Sequence, residues 1–362
     1  MLARFAHDRH RVDGWIESEI AGLTYKEKLS SLFVYIFNVG VTLSTTAKSQ
    51  ILQTIMIVEF AFLCVSVVLL YFGADSLVSG SSRLGLKIGL SPLVVGLTVV
   101  AFGTSLPEFL VSVQSALQGL DGIAVGNVVG SNIFNIGVIL GISACITPQK
   151  VNSRLILRDV PFMVIAALLV WAFLLDGRVL RTEGFALAFG IILYTWYTLN
   201  NAEKEPDTDI QPKENHNWGW IVLLIAGGLF LLLLGSTLLI ENASALASAM
   251  GISEAAIGLT VVAAGTSMPE LATSVVAAIK KQPDIAIGNV VGSNIFNAFC
   301  ILGVSSTIHP LSSAGITNLD IAVMVGLSLS LWPILWTNHL LNRWEGGLLV
   351  FVYGLYLWVL WP

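Results

Sequence analysis

Residues 96–108 read GLTVVAFGTSLPE, and residues 258–270 read GLTVVAAGTSMPE. Each copy sets a proline and a glutamate inside an otherwise apolar run, where helix propensity disfavours the proline and burial the glutamate. Aligned at a constant offset of 162, residues 96–141 match residues 258–303 at 29 of 46 positions without a gap. Such a block is a duplication. The same offset joins Gly73 to Gly235 and Glu183 to Glu345, extending the duplication over nearly the whole body.

Only 11% of the 362 residues are charged and 55% are hydrophobic, against about a quarter charged in soluble domains. The composition is that of an integral membrane protein. Apolar runs recur from about residue 52 onward, and a bilayer core requires about 20 such residues of a helix. The pattern predicts an all-α fold of ten membrane helices near 52–75, 91–118, 122–146, 156–176, 182–200, 218–241, 253–279, 285–306, 318–337 and 343–361. This divides the chain into four regions: an N-terminal extension (1–55), a first five-helix repeat (56–200), a hydrophilic loop (201–217) and a second five-helix repeat (218–362).

Five spans per repeat is an odd number, so the second copy enters the membrane from the opposite side. Two similar sequences then fold as inverted images about an axis in the membrane plane. Basic residues supply a test of orientation. With the first of the ten spans running inward, the inner loops hold Arg83, Lys87, Lys150, Arg154, Arg158, Lys204, Lys213, Lys280, Lys281 and Arg343, and the outer loops only Arg178 and Arg181. The six basic residues of the extension conflict with this assignment, unless residues 29–47 form a marginal eleventh span or the natural start is Met56. The first thirty residues have no apolar core of a signal peptide.

Pro107 and Pro269 carry no amide hydrogen, so the carbonyls of Gly103 and Gly265 lose their helical partners and each helix is expected to break. Non-helical backbone at membrane depth is tolerated only where it is buried in protein or lines a wet cavity. Glu108 or Glu270 follows each proline, with Thr104 or Thr266 four residues earlier on the same face. An ionisable group at the bilayer centre costs at least about 2.5–3.5 kcal/mol, which marks it as functional by default. A protonated, packing-only role is reasonable for a lone glutamate, but weak for two at equivalent positions.

The second shared block, GNVVGSNIFN, spans 126–135 and 288–297. Gly126 and Gly130, like Gly288 and Gly292, have the spacing that lets membrane helices approach closely. Close approach would bring Ser131 and Asn135 in one half, and Ser293 and Asn297 in the other, against the broken helices. Every candidate ligand is an oxygen donor, which favours hard cations over zinc or copper. Two glutamates balance one Ca²⁺ or two Na⁺. A site that serves either cation, but rarely both at once, is the physical basis of antiport.

On these blocks the chain resembles the cation/calcium antiporter superfamily, and within it the prokaryotic sodium/calcium exchanger type, over about residues 56–362. The resemblance implies a site at the centre of helices two, three, seven and eight. Glu108 and Glu270 would be the principal Ca²⁺ and Na⁺ ligands, helped by the carbonyls of Thr104 and Thr266. Ser105, Ser131, Ser267 and Ser293, with the carbonyls of Ala101 and Ala263, would form the sodium positions, and Asn135 matches a family asparagine. Asn297 departs from the pattern, since several relatives of this type carry aspartate there. Sodium is the counter-ion that the resemblance favours, because the second block of the family's proton-coupled calcium exchangers is absent.

Other features carry less. The stretch at 201–217 lacks the spacing of a calcium loop with its turn glycine, and GSSRLGLK at 80–87 is not a P-loop. Asp159 and Asp320 read as helix N-caps. Cys64, Cys145 and Cys300 lie in apolar runs and imply no disulfide. No cofactor, nucleic-acid partner or obligate protein partner is implied; the partners are Ca²⁺, Na⁺ and the bilayer, and the location a prokaryotic inner membrane. The alternatives are a calcium/proton exchanger, a passive cation channel using the same oxygens, and an intramembrane enzyme using the paired carboxylates. The last lacks any HExxH motif, and the duplication around both carboxylates favours alternating access.

Overall fold

The prolines and glycines of the two repeated blocks break up long apolar helices, and this decides the element order. A computed structural model describes residues 45–202, 217–249, 263–337 and 339–360. The chain divides into two compact units, Met1–Ile57 and Val58–Pro362. Of the first, residues 45–57 are described and are helical; most of the expected 29–47 span lies outside the described residues. The second unit contains both repeated blocks.

Helix α1 (Thr45–Ile88) is followed by a bent pair, α2 (Pro92–Thr104) and α3 (Leu106–Leu117), which meet at 47°. Next come α4 (Asp121–Ile146), α5 (Leu155–Phe173) and α6 (Arg181–Asn200). The second half holds α7 (Trp218–Ala249), α8 (Ala263–Thr266), α9 (Met268–Ile279), α10 (Pro283–Ile308), α11 (Asn318–Trp336) and α12 (Arg343–Leu360). Most of the inter-repeat loop (203–216) and the first part of the expected 253–279 helix (251–262) lie outside the described residues. Among the described residues six helices are long and apolar enough to cross a membrane, or seven with the bent pair as one span. Helices α6 and α12 do not join them, because Arg181 and Glu183, and Arg343 and Glu345, lower the hydropathy of helices that also hold several Gly, Tyr and Trp residues.

The first span is longer than its hydropathy suggests. The apolar run predicts an end near residue 75, yet α1 continues to Ile88, so Arg83 and Lys87 sit in its last turns. Leu77, Val78 and Ser81 are buried there. Ser82 turns its hydroxyl back onto Val78 O at 2.9 Å, which hides the polar group within the helix. Lys280 Nζ reaches Asp75 Oδ1 at 2.6 Å and Ser79 Oγ at 2.9 Å.

Small residues let the two halves pack through each other. A side chain at Gly141 would strike Gly346 O, and one at Gly303 would strike the backbone of Ala188 and Gly184. The pairs α4–α12 and α6–α10 are therefore the same contact displaced by 162 residues. Four short strands repeat the exchange: β1 (Gln149–Lys150) pairs antiparallel with β4 (Leu340–Leu341), and β2 (Arg178–Val179) with β3 (Leu311–Ser312). Within each ribbon one strand comes from each half. Of the six clear spans α10 is the most enclosed, while Phe60, Phe72, Phe102, Leu110, Phe351 and Trp358 face outward.

Close helix approach is visible at Gly288 and Gly292. An added methyl at Gly292 would lie 2.7 Å from Leu97 O and from Ala101 Cβ, and one at Gly288 would lie 3.1 Å from Leu93 O. At Gly126 an added methyl would lie 3.3 Å from Ile316 Cδ1. Asp159 and Asp320 are not N-caps. Thr317 caps α11 and Asp320 answers from three residues on, accepting from Thr317 N at 2.7 Å. Asp159 lies inside α5 and accepts from Tyr194 Oη at 3.2 Å. Tyr356, 162 residues after Tyr194, bonds Asp320 at 2.7 Å.

Candidate functional site

Both broken helices give way two residues before their proline. At Ser105 (φ −81°, ψ 8°) and Ser267 (φ −87°, ψ 10°) the backbone leaves helical geometry and then restarts. One freed carbonyl is met from a neighbouring helix: Ser236 Oγ donates to Gly265 O at 2.7 Å. Without such a partner a buried carbonyl is costly.

Each break turns its serine onto the other half of the chain. Ser105 Oγ donates to Glu270 Oε1 at 2.8 Å, and Ser267 Oγ donates to Glu108 Oε1 at 2.8 Å. Ser267 Oγ also lies 3.2 Å from Ser131 Oγ. Glu108 and Glu270 are 1% and 0% exposed, so neither carboxylate can use bulk water to offset its burial. Among the described residues, neither pairs with a lysine or arginine.

Several side-chain oxygens of the expected ligands have no hydrogen-bond partner among the described residues. They are Glu108 Oε2, Glu270 Oε2, Ser293 Oγ, Asn135 Oδ1 and Asn297 Oδ1, all buried. A buried polar atom is normally satisfied. Buried oxygens without a partner are the donor type that hard cations take. No group of three or more His, Cys, Asp and Glu residues occurs among the described residues, so the remaining donors are hydroxyls, amides and carbonyls.

The other expected residues fall in the same region. Thr104 Oγ1 donates to Asn289 Oδ1 at 3.1 Å and lies 3.4 Å from Ala101 O. Ala101 O also accepts from Ser105 N at 3.1 Å. Thr266 is buried at the corresponding position of α8. Ala263 is the first residue of α8, and its side chain lies outside the described residues.

Four asparagines that sequence reasoning passed over hold this arrangement. Asn127 Nδ2 donates to Glu108 O at 3.0 Å and to Ser112 Oγ at 2.8 Å. Asn289 Nδ2 makes the equivalent bonds to Glu270 O at 3.3 Å and Ser274 Oγ at 3.0 Å. Asn132 and Asn294 bond Asn297 and Asn135 across the halves. The signal was present: all four are identical between copies and lie in apolar helices.

Directly after the site, α4 and α10 each contain a π-helical turn, Asn135–Leu140 and Asn297–Leu302. A third, Gly96–Val100, precedes the break in α2. Such turns loosen the regular backbone ladder and recur at functional sites.

The sodium/calcium exchanger protein family model matches residues 58–200 and 220–361. The chain belongs to this family. It is 33% identical over 344 residues to the sodium/calcium exchanger MaX1 of Methanosarcina acetivorans, covering 84% of this chain and 98% of that protein. It is 36% identical over 264 residues to the inner membrane protein YrbG of Escherichia coli, covering 70% and 81% respectively. A solved structure of the sodium-calcium exchanger NCX_Mj, soaked with Na⁺ and without Ca²⁺, superposes with a TM-score of 0.72 at 35% identity, over 83% of this chain and 98% of that one. The protein is thus a multi-pass integral membrane transporter of the prokaryotic cation/calcium antiporter type, and not an enzyme.

Proposed function

We propose that this exchanger-family protein moves Ca²⁺ against Na⁺ by alternating access at a mid-membrane site. The crossed serine–glutamate contacts, Ser105 to Glu270 and Ser267 to Glu108, are the observation that carries this reading. Each carboxylate uses one oxygen to hold the opposite break, and its other oxygen has no hydrogen-bond partner among the described residues. Glu108 and Glu270 supply the charge. Ser105, Ser131, Ser267, Ser293, Asn135 and Asn297, with the backbone oxygens of Ala101, Thr104, Ala263 and Thr266, complete the oxygen set.

Two open carboxylate oxygens neutralise one divalent ion or two monovalent ones, so the cations compete for the same atoms. Exchange results if the site faces one side of the membrane at a time. Contacts that recur at an offset of 162, including both ribbons, support two repeats of five helices, residues 56–200 and 218–362, joined by the 201–217 loop, and the odd number of spans makes them inverted. In the ten-helix arrangement the basic residues place the β1–β4 ribbon inside and the β2–β3 ribbon outside. The membrane is the prokaryotic inner membrane.

Binding of calcium to the purified protein, titrated at rising sodium, tests the shared site. Sodium should displace calcium with a dependence steeper than one-for-one. Calcium affinity unchanged by sodium, but lowered by protons, would favour a calcium/proton exchanger instead.

A further inference from the structure

The amide of an asparagine can turn either its oxygen or its NH₂ group toward a cation, and only the oxygen is a ligand. Both orientations have the same shape. Something must therefore choose between them for Asn135 and Asn297. We infer that Asn132 and Asn294 are the positioning residues that make this choice, an inference that rests on Asn135 and Asn297 facing the transported ion.

Each chain of bonds begins at an atom that can only accept. Asn132 Nδ2 lies 3.5 Å from the backbone carbonyl of Asn294. Since a carbonyl cannot donate, it draws the nitrogen of Asn132 toward itself and leaves Asn132 Oδ1 on the other side. That oxygen accepts from Asn297 Nδ2 at 3.1 Å. The nitrogen of Asn297 is then committed, and its Oδ1 is the open buried atom.

The second chain starts at a thioether. Asn294 Nδ2 lies 3.6 Å from Met163 Sδ, which also accepts and never donates. Asn294 Oδ1 therefore faces Asn135 and accepts from Asn135 Nδ2 at 3.0 Å. Asn135 Oδ1 is left open in turn. All four asparagines are at most 3% exposed, so water cannot take over either bond. The service is crossed: each half of the chain orients the amide of the other half.

The test uses the full chain in liposomes and measures the calcium dependence of sodium-driven uptake. Groups that orient metal ligands typically contribute about 10–100-fold in affinity. Asn132→Leu should raise the calcium KM by about tenfold or more, because the Asn297 amide is then free to present nitrogen. In an Asn297→Ala background the same substitution should add nothing. An unchanged KM for Asn132→Leu overturns the inference, as does an equal rise in both backgrounds, which would mark a role in packing alone. If Asn132→Leu does not fold, Met163→Leu reads the second chain, raising KM in the parent and not in an Asn135→Ala background. A parent protein without sodium-driven uptake would contradict the transport reading itself. Asn297→Ala with the parent's KM would remove Asn297 from the site, and this inference with it.

Discussion

Ser105 Oγ lies 2.8 Å from Glu270 Oε1, although 165 residues separate them in the chain. The contact crosses from one copy of the repeat to the other, and its counterpart, Ser267 to Glu108, has the same length. Neither half can therefore build the site alone. Ser105→Ala and Ser267→Ala should each raise the calcium KM by about tenfold or more and by similar factors, since hydrogen bonds to charged groups contribute about 1.5–3 kcal/mol. A large effect from one and none from the other would break the equivalence of the two contacts.

Glu108→Gln and Glu270→Gln should each nearly abolish exchange in a folded protein. A divalent ion would then meet one negative charge among buried side chains. Calcium uptake by purified variants, with folding checked by gel filtration and thermal unfolding, decides this; near-parental transport by either variant contradicts the paired site.

Asn127→Leu and Asn289→Leu leave the carbonyls of Glu108 and Glu270 without the amide donor that now serves them. Loss of a buried partner costs about 1–3 kcal/mol. Each variant should unfold at a lower temperature than the parent, and bound calcium should restore only part of the difference. Unchanged thermal unfolding would show that these bonds do not hold the breaks.

Asn297→Asp should make calcium uptake sensitive to acid. Asn297 Nδ2 now donates to Asn132 Oδ1, and a carboxylate in its place meets that acceptor unless it carries a proton. Protons then compete with cations at the new group. Uptake across a pH series at a fixed sodium gradient should fall toward low pH more steeply than in the parent; superimposable profiles would place Asn297 outside the ion site.

Much of the site is legible in the sequence, because proline and glutamate inside an apolar run each carry a cost that helix packing alone does not offset. Pro107 and Pro269 announce the breaks, and the gapless repeat pairs Glu108 with Glu270. The bonds around the breaks are not legible. Asn127 and Asn132 look like ordinary members of a helix-packing block, and only geometry shows that one holds a carbonyl and the other an amide. The length of α1 escapes a hydropathy reading because Asp75, Arg83 and Lys87, with the intervening serines, lower the hydropathy of a stretch that nevertheless stays helical. Asp320 looks like a cap because it stands at a helix start, yet Thr317, three residues earlier, holds that position. The opposed orientation of the two halves comes from counting spans, which is an inference from parity and not from contacts.

Sodium-gradient-driven uptake of radiolabelled calcium by the purified protein in liposomes tests the central claim most directly, run beside Glu270→Gln and beside vesicles with equal sodium on both sides. Calcium should accumulate above its external concentration only when sodium is high inside, and the accumulation should vanish with Glu270→Gln. Calcium entry that is indifferent to the sodium gradient, or that survives loss of Glu270, would contradict exchange at the crossed serine–glutamate site.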